Sequence, residues 1–300
     1  MKSFVLIFTA FWLLNSCSNS KEPSSTRHTD YHLQVADGGD QVSILGSGGQ
    51  IVLTQNAGMH HRPYLHPLVS PDLKSIMTEY SPGHHRHQTG IYWGMTRVNQ
   101  RDFFHNPGEG YWRRLDLTIL QDTGTVLRWS TKYEMLDSIS EVLLTETQIW
   151  SFQSKAGRYL LDLEWQGQAA QDVTIGEYDY GGLFVRMPWT ENTPSEVVNA
   201  ARDRDQRAEG KRAMWIDLGM QLEGREDMAR ISMYDHPQNG GYPTPWRVDG
   251  QFGVGPARCR LGDWEIPRGH TEIMKYRLEV YTGNATDIEI TDRWEDYAGE

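Results

Sequence analysis

The sequence predicts an all-β protein, a large antiparallel β-sandwich. Short segments that alternate apolar and polar residues, or that mix β-branched with aromatic ones, recur along the chain. Gly and Asp/Asn clusters separate them, and almost no stretch reads as a helix. Strand after strand at short intervals points to two stacked sheets rather than to alternating helices and strands.

In chain order, Tyr31–Val35 alternates, and Ser43–Leu45 and Ile51–Leu53 flank Gly46-Ser47-Gly48-Gly49, a hairpin signal. Leu115–Gln121, Thr125–Tyr133, Val142–Phe152 and Tyr159–Trp165 follow, divided by Gln121-Asp122-Thr123-Gly124 and Ala156-Gly157. Gly182–Met187, Ala213–Glu223, Ala229–Tyr234 and Lys275–Tyr281 continue the series. Ser195–Glu209 reads either as a charged helix or as an irregular excursion. Asp287–Tyr297 has the pattern of a terminal amphipathic helix, with Ile288, Trp294 and Tyr297 as its apolar side. No internal repeat recurs at a fixed period.

The first 17 residues read as a lipoprotein signal peptide. Lys2 supplies a positive charge, Phe4 to Leu14 is an almost wholly apolar run, and Leu14-Asn15-Ser16-Cys17 resembles a lipobox in which Cys17 is lipidated. Such a run is too short to span a bilayer as a mature helix. Residues 18–29 are expected to be a flexible tether, and 30–300 one sandwich domain. Ser18, rather than an aspartate, follows the cysteine, which predicts a lipid-anchored protein of the bacterial cell envelope at the outer membrane, with either face open.

Composition excludes several classes. The formal charge of −11 becomes −12 once Lys2 leaves, and no basic block argues for nucleic acid as a partner. Cys259 is then the one remaining cysteine, so neither an internal disulfide nor a thiolate metal cage is expected, and the thiol is expected to be buried as a small hydrophobe. No second apolar run reaches membrane-spanning length, so membrane contact is expected through the lipid anchor only. Gly-x-Ser-x-Gly, phosphate-loop, dinucleotide and HExxH patterns are absent.

Candidate chemistry concentrates in histidine-rich loops. His84, His85 and His87 stand in four residues beside Arg86, just before the aromatic strand Ile91-Tyr92-Trp93-Gly94. Histidine titrates near neutrality and is the commonest metal ligand, so the cluster predicts a site. His85 and His87 are two apart, which puts both rings on one face of an extended segment. His60, His61 and His66 precede it, and two prolines hold the Arg62–Pro67 loop with Tyr64 and His66. Asn99–Trp112 adds Asp102, His105 and Glu109 to a turn-rich aromatic loop suited to a pocket wall. Arg186, set among apolar residues, predicts either a structural ion pair or a contact to a carboxylate or sulfate on a ligand. Asp235-His236 ends a strand. His236 is expected to work with histidines from the earlier loops, because adjacent strand residues face opposite ways.

The motifs RPYLHPLVSP (62–71), HHRHQTGIYWG (84–94), VNQRDFF (98–104) and GGLFVRMPW (181–189) resemble the secreted PmoA-like proteins. So do VVNA (197–200), EGKRAMWIDLGM (209–220), DHPQNGGYPTPWRV (235–248) and GVGPAR (253–258), and the resemblance runs from Val35 to Tyr297. Many members carry Asp-His-Pro-His-His-Arg where this chain has Ser81-Pro82-Gly83-His84-His85-Arg86, so Pro82 stands in place of a histidine. The resemblance implies a fold similar to the galactose mutarotase-like supersandwich and a role in bacterial polysaccharide use. The family name implies a membrane-embedded copper enzyme, a role rejected for a chain with no spanning run after its leader.

The leading expectation is a carbohydrate-active enzyme, a lyase, dehydratase or hydrolase acting on an oligosaccharide or modified glycoside. His84, His85 and His87 would supply base or acid, with His66 and His236 as partners. Tyr64, Trp93, Arg186, Trp246 and Arg247 would contact substrate. One alternative is a non-catalytic glycan-binding lipoprotein. The other is an enzyme dependent on a divalent metal ligated by His60, His61, His66, His84, His85 and His87.

Overall fold

The computed structural model describes residue 1 and residues 31–36 and 38–300; the leader, Cys17 and the tether lie outside them. Two antiparallel sheets of eight strands face one another, as the alternation predicts. The first runs, edge to edge, through His32–Val35, Gln41–Leu45, Ile51–Asn56, Tyr64–Leu68, Ile91–Gly94, Gly182–Arg186, Gly253–Pro256 and Trp246–Val248. The second runs through Ser195–Asn199, Trp215–Met220, Ala229–Asp235, Thr271–Thr282, Arg158–Ala169, Val142–Lys155, Leu127–Leu136 and Trp112–Gln121. Val173–Ile175 and Trp264–Ile266 make a separate ribbon.

Period-two burial explains the pairing. In Leu127–Leu136 the side chains of Leu127, Trp129, Thr131, Tyr133 and Met135 are buried, while Arg128 and Lys132 are exposed. Trp129 lies opposite Trp150 in register, and their indoles stack. Across the sandwich, Trp93 of the first sheet stacks on Trp165 of the second, with ring centroids 4.4 Å apart. Ser195–Asn199 is an edge strand followed by a short 3-10 turn, Asp205–Ala208, so neither the charged helix nor the irregular excursion describes it. It pairs with Trp215–Met220 and buries Val197 and Val198, which face opposite sides of the sheet.

The C-terminal helix Asp287–Ala298 forms where expected, started by a capping box between Thr286 and Glu289. Its buried side is Ile290 and Tyr297 against Trp215 and Tyr234, whereas Ile288 is 68% exposed and belongs to the solvent side. Cys259 is buried, and burial pushes its thiol up to about 11. Among the described residues, no helix is long and apolar enough to cross a membrane.

One acid sits inside the sandwich. Glu146 accepts hydrogen bonds of 2.8 Å from the Trp165 indole and from the Gln148 amide, while Gln148 accepts from the Trp150 indole. Desolvation outweighs these bonds and pushes the Glu146 carboxyl from 4.5 up to about 7. Between those two values the folded protein holds a proton that the unfolded chain releases, so this group's contribution to stability falls as pH rises. Glu146→Gln mimics the protonated acid. Its unfolding free energy in urea should match the wild type near pH 4.5 and exceed it by up to about 3 kcal/mol above pH 7. A gap that does not open with pH would show that the acid is ionised throughout.

Candidate active site

The site grows from the outer face of the first sheet. Along Ile91–Gly94, Trp93 points into the sandwich, so Tyr92 points outward. There Tyr92 packs with Phe104 and Phe184, and Tyr64 and Tyr180 border them. The Arg62 guanidinium lies over the Tyr92 ring, 3.7 Å from its centroid. It donates to the carbonyls of Phe104 and His87, each at 2.7 Å, and also to the Phe103 carbonyl and the Thr89 hydroxyl. A single buried cation thus joins the 84–90 and 102–106 loops. Gly94 leaves room for it, since a Cβ there would lie 2.9 Å from Arg62 Nη1. Burial draws Arg62 down to about 10, which leaves it charged at neutral pH. Gly90, at φ +80°, brings the end of the histidine loop against the Leu65 carbonyl, where no side chain would fit.

The joined loops bring their histidines together. His105 Nδ1 lies 2.6 Å from Asp102 Oδ2, and His105 Nε2 lies 3.1 Å from the Tyr180 hydroxyl. Burial alone would raise the Asp102 carboxyl, but the bonds it accepts from the His105 ring and from the backbone N–H groups of Phe104 and His105 hold it below its usual range. Asp102 therefore orients the imidazole, and Tyr180 stands at the far end of a proton relay. The His87 ring packs on His105 at 4.5 Å between centroids, and His85 packs on His87 at 5.7 Å. Desolvation, reinforced by the neighbouring His105 and Arg62, pushes His87 down to about 3, so its imidazole is neutral at physiological pH and a weak base unless an anion sits beside it. His85 is lowered by burial and by Arg186, and its Nδ1 is buried with no partner among the described residues.

These groups line a narrow cleft of about 70 Å³ with Gln88, Arg247 and Asp249. Larger open depressions lie beside the C-terminal helix, about 510 Å³, and beside Arg97 and Asp263, about 610 Å³. Neither is lined by a histidine, and a third depression of about 390 Å³ is lined by His236 as its one histidine, so we place the chemistry in the smaller cleft, where His85, His87 and His105 converge. Arg186 is fully buried and pairs with Asp249 at 3.1 Å, while also donating to Gln88 Oε1 and the Gln251 carbonyl. Arg186 is thus the structural ion pair of the two expected readings; it orients cleft residues and has no arm left for a ligand. Arg247 does line the cleft. One of its nitrogens pairs with Glu209 at 2.8 Å, and Glu209 also holds Arg260.

Other expected site residues fall elsewhere. Trp93, stacked on Trp165, and Trp246, whose indole donates to the Ala213 carbonyl, are core residues with at most 1% exposure and cannot touch a sugar. His236 packs on Tyr297 at the C-terminal helix, and Asp235 is engaged by Thr244 and Asn239. The strand bearing them belongs to the second sheet, so His236 does not partner the loop histidines. His66 bonds Thr78 and packs on Tyr80, and Tyr64 lies between His61 and Tyr80; both share the outer face but stand outside the cleft. His84 is exposed at the rim against His85, and His60 is exposed. Among the described residues, no three His, Cys, Asp or Glu side chains converge in metal-holding geometry. Tyr180, Gln88 and Asp249 were absent from the sequence expectations. Their one sequence signal is the position of Tyr180 before the Gly181-Gly182 pair that opens a strand.

The fold is a two-sheet antiparallel sandwich with a histidine cluster on one outer face. The chain belongs to a family of unknown function (DUF6807), whose profile matches residues 45–295. No curated protein matches it in sequence. Similar solved structures include the Slr1438 protein from Synechocystis sp. PCC 6803, at 11% identity and a TM-score of 0.38, covering 84% of this chain and 95% of that one. A galactose mutarotase related enzyme from Lactobacillus acidophilus is similar at 7% identity and a TM-score of 0.37, covering 84% and 97%. A GH36 alpha-galactosidase AgaA variant from Geobacillus stearothermophilus in complex with stachyose is similar at 9% identity and a TM-score of 0.43. That match covers 85% of this chain and 40% of the galactosidase.

Proposed function

We propose that this protein is a lipid-anchored enzyme of the bacterial envelope that acts on a carbohydrate by histidine acid–base chemistry. The observation that carries the reading is the Asp102–His105–Tyr180 relay beside the neutral His87. His87 is the base once a bound anionic group raises it, and the Tyr180 hydroxyl, hydrogen-bonded to His105 Nε2, is the acid. Tyr180, half-buried in the cleft wall above the buried Phe104 and Phe184, offers a ring face for the apolar side of a sugar. Glycoside hydrolysis ordinarily needs two free carboxyl groups flanking the bond. Here Asp102 is bound by His105 and Asp249 by Arg186, which favours proton abstraction and elimination over hydrolysis. The motifs that resemble those of the PmoA-like proteins and the expected leader ending at Cys17 support the envelope setting.

The test is a mass-spectrometric screen of the full chain, in mild detergent, against plant and algal oligosaccharides and oxidised glycosides, with His87→Ala alongside. A product differing by the loss of one water, or a chain split into one unsaturated and one saturated fragment, is expected from the wild type and not from the variant. Binding without turnover would replace this reading with a glycan-binding lipoprotein.

A further inference from the structure

We infer that the cleft seats a carboxylate, so that the sugar acted on is a uronate; the inference rests on the acid–base reading above and names its substrate class. The carboxylate that lines the cleft, Asp249, and those that hold its lining residues, Asp102 and Glu209, are already engaged. Asp249 accepts from Arg186 and from the backbone N–H groups of Gln251 and Gly253. Asp102 is held by His105, and Glu209 by Arg247, Arg260 and the Val248 N–H. Glu79, whose Oε2 is buried without a partner among the described residues, does not line the cleft.

The hydrogen-bonding groups left over are mostly donors. Arg186 donates to Gln88 Oε1, which fixes the Gln88 amide so that its NH₂ points away from Arg186, and among the described residues that NH₂ meets no protein acceptor. Arg247 uses one nitrogen on Glu209, and its other N–H groups meet no acceptor among the described residues. Neutral His85 and His87 each offer one further N–H. A donor-rich recess with a guanidinium fork matches a planar anion.

Size agrees. At about 70 Å³ the recess holds a carboxylate but not a pyranose, which would rest outside it against the Tyr180 ring. The overall charge of −11 does not oppose this, because screening over about 8 Å at physiological salt leaves the local donors in control. A carboxylate seated here also serves the reaction. It acidifies the adjacent C–H beside His87, whose nitrogen takes that proton. The C–H pair becomes the new C=C bond, the neighbouring C–O bond breaks, and the leaving oxygen takes the Tyr180 proton.

The test compares uronate oligosaccharides with their carboxyl-reduced and sulfated counterparts, by calorimetric binding and by ultraviolet absorbance of the unsaturated product, using the full chain. Uronates should bind and turn over, and the carboxyl-reduced sugars should do neither. Arg247→Gln should weaken uronate binding by about 10–100-fold. Arg247→Lys, which keeps the charge but not the fork, should fall between, with thermal melting of both variants separating binding loss from unfolding. Equal turnover of neutral and acidic sugars would overturn the carboxylate inference and leave the acid–base reading standing. A response to sulfated sugars alone would overturn it in favour of a sulfate. Turnover of none, with no binding, would remove both.

Discussion

His105→Ala should lower turnover on the substrate found by the screen by about 10²–10⁴-fold, the range set by losing a positioned acid–base group. The imidazole is the sole link between the Asp102 carboxylate and the Tyr180 hydroxyl, at 2.6 Å and 3.1 Å. Removing it leaves the Tyr180 hydroxyl without the ring nitrogen that orients it. The side chain is 35% exposed, so folding stability should change by no more than about 1 kcal/mol. Tyr180→Phe should give a similar loss, and the double variant little more than either single one, because the two groups act as one relay. Turnover of His105→Ala within threefold of the wild type would reduce the triad to a structural contact.

Arg62→Met should destabilise the fold by roughly 3–5 kcal/mol in chemical denaturation. The guanidinium is fully buried and serves three carbonyls, one hydroxyl and the face of Tyr92. Methionine fills much of the space but leaves those acceptors without their donor. Arg62→Lys keeps the charge but offers it at one point, so it cannot hold both loops, and turnover should fall even where the protein remains folded. A near-neutral effect of Arg62→Met would mean that the two histidine loops hold each other without this cation.

Much of the sandwich was legible because its sheets are amphipathic. The Leu127–Leu136 and Arg158–Ala169 strands alternate at period two, and their order along the chain follows from that alone. The site was legible only as a neighbourhood. His85, His87, Asp102 and His105 sit in loops rich enough in histidine, glycine and aromatics to be marked. Tyr180 meets His105 across 75 residues of sequence, and Gln88 meets Arg186 across 98, and no local pattern records such meetings. Trp93 shows a second limit. Every residue of Ile91–Gly94 is buried, so period two could not tell the core face from the site face, and the larger aromatic was assigned to the wrong one. His236 shows a third, since its neighbour Asp235 has the composition of an acid–base pair and the hydrogen bonds of a turn clamp.

The two-faced strand Ile91–Gly94 also constrains how this protein can change under selection. Trp93 is committed to the indole stack, and Tyr92 to the aromatic floor under Arg62. A substitution at Tyr92 that reshaped the floor for another ligand would disturb the cation holding both loops, and one at Trp93 would shift the strand beneath that floor. Adaptation to new ligands is therefore channelled to positions such as His84 and Arg247, which lie at the rim or walls rather than in this strand. Relatives with altered preferences should differ there first and keep the Tyr-Trp pair unchanged.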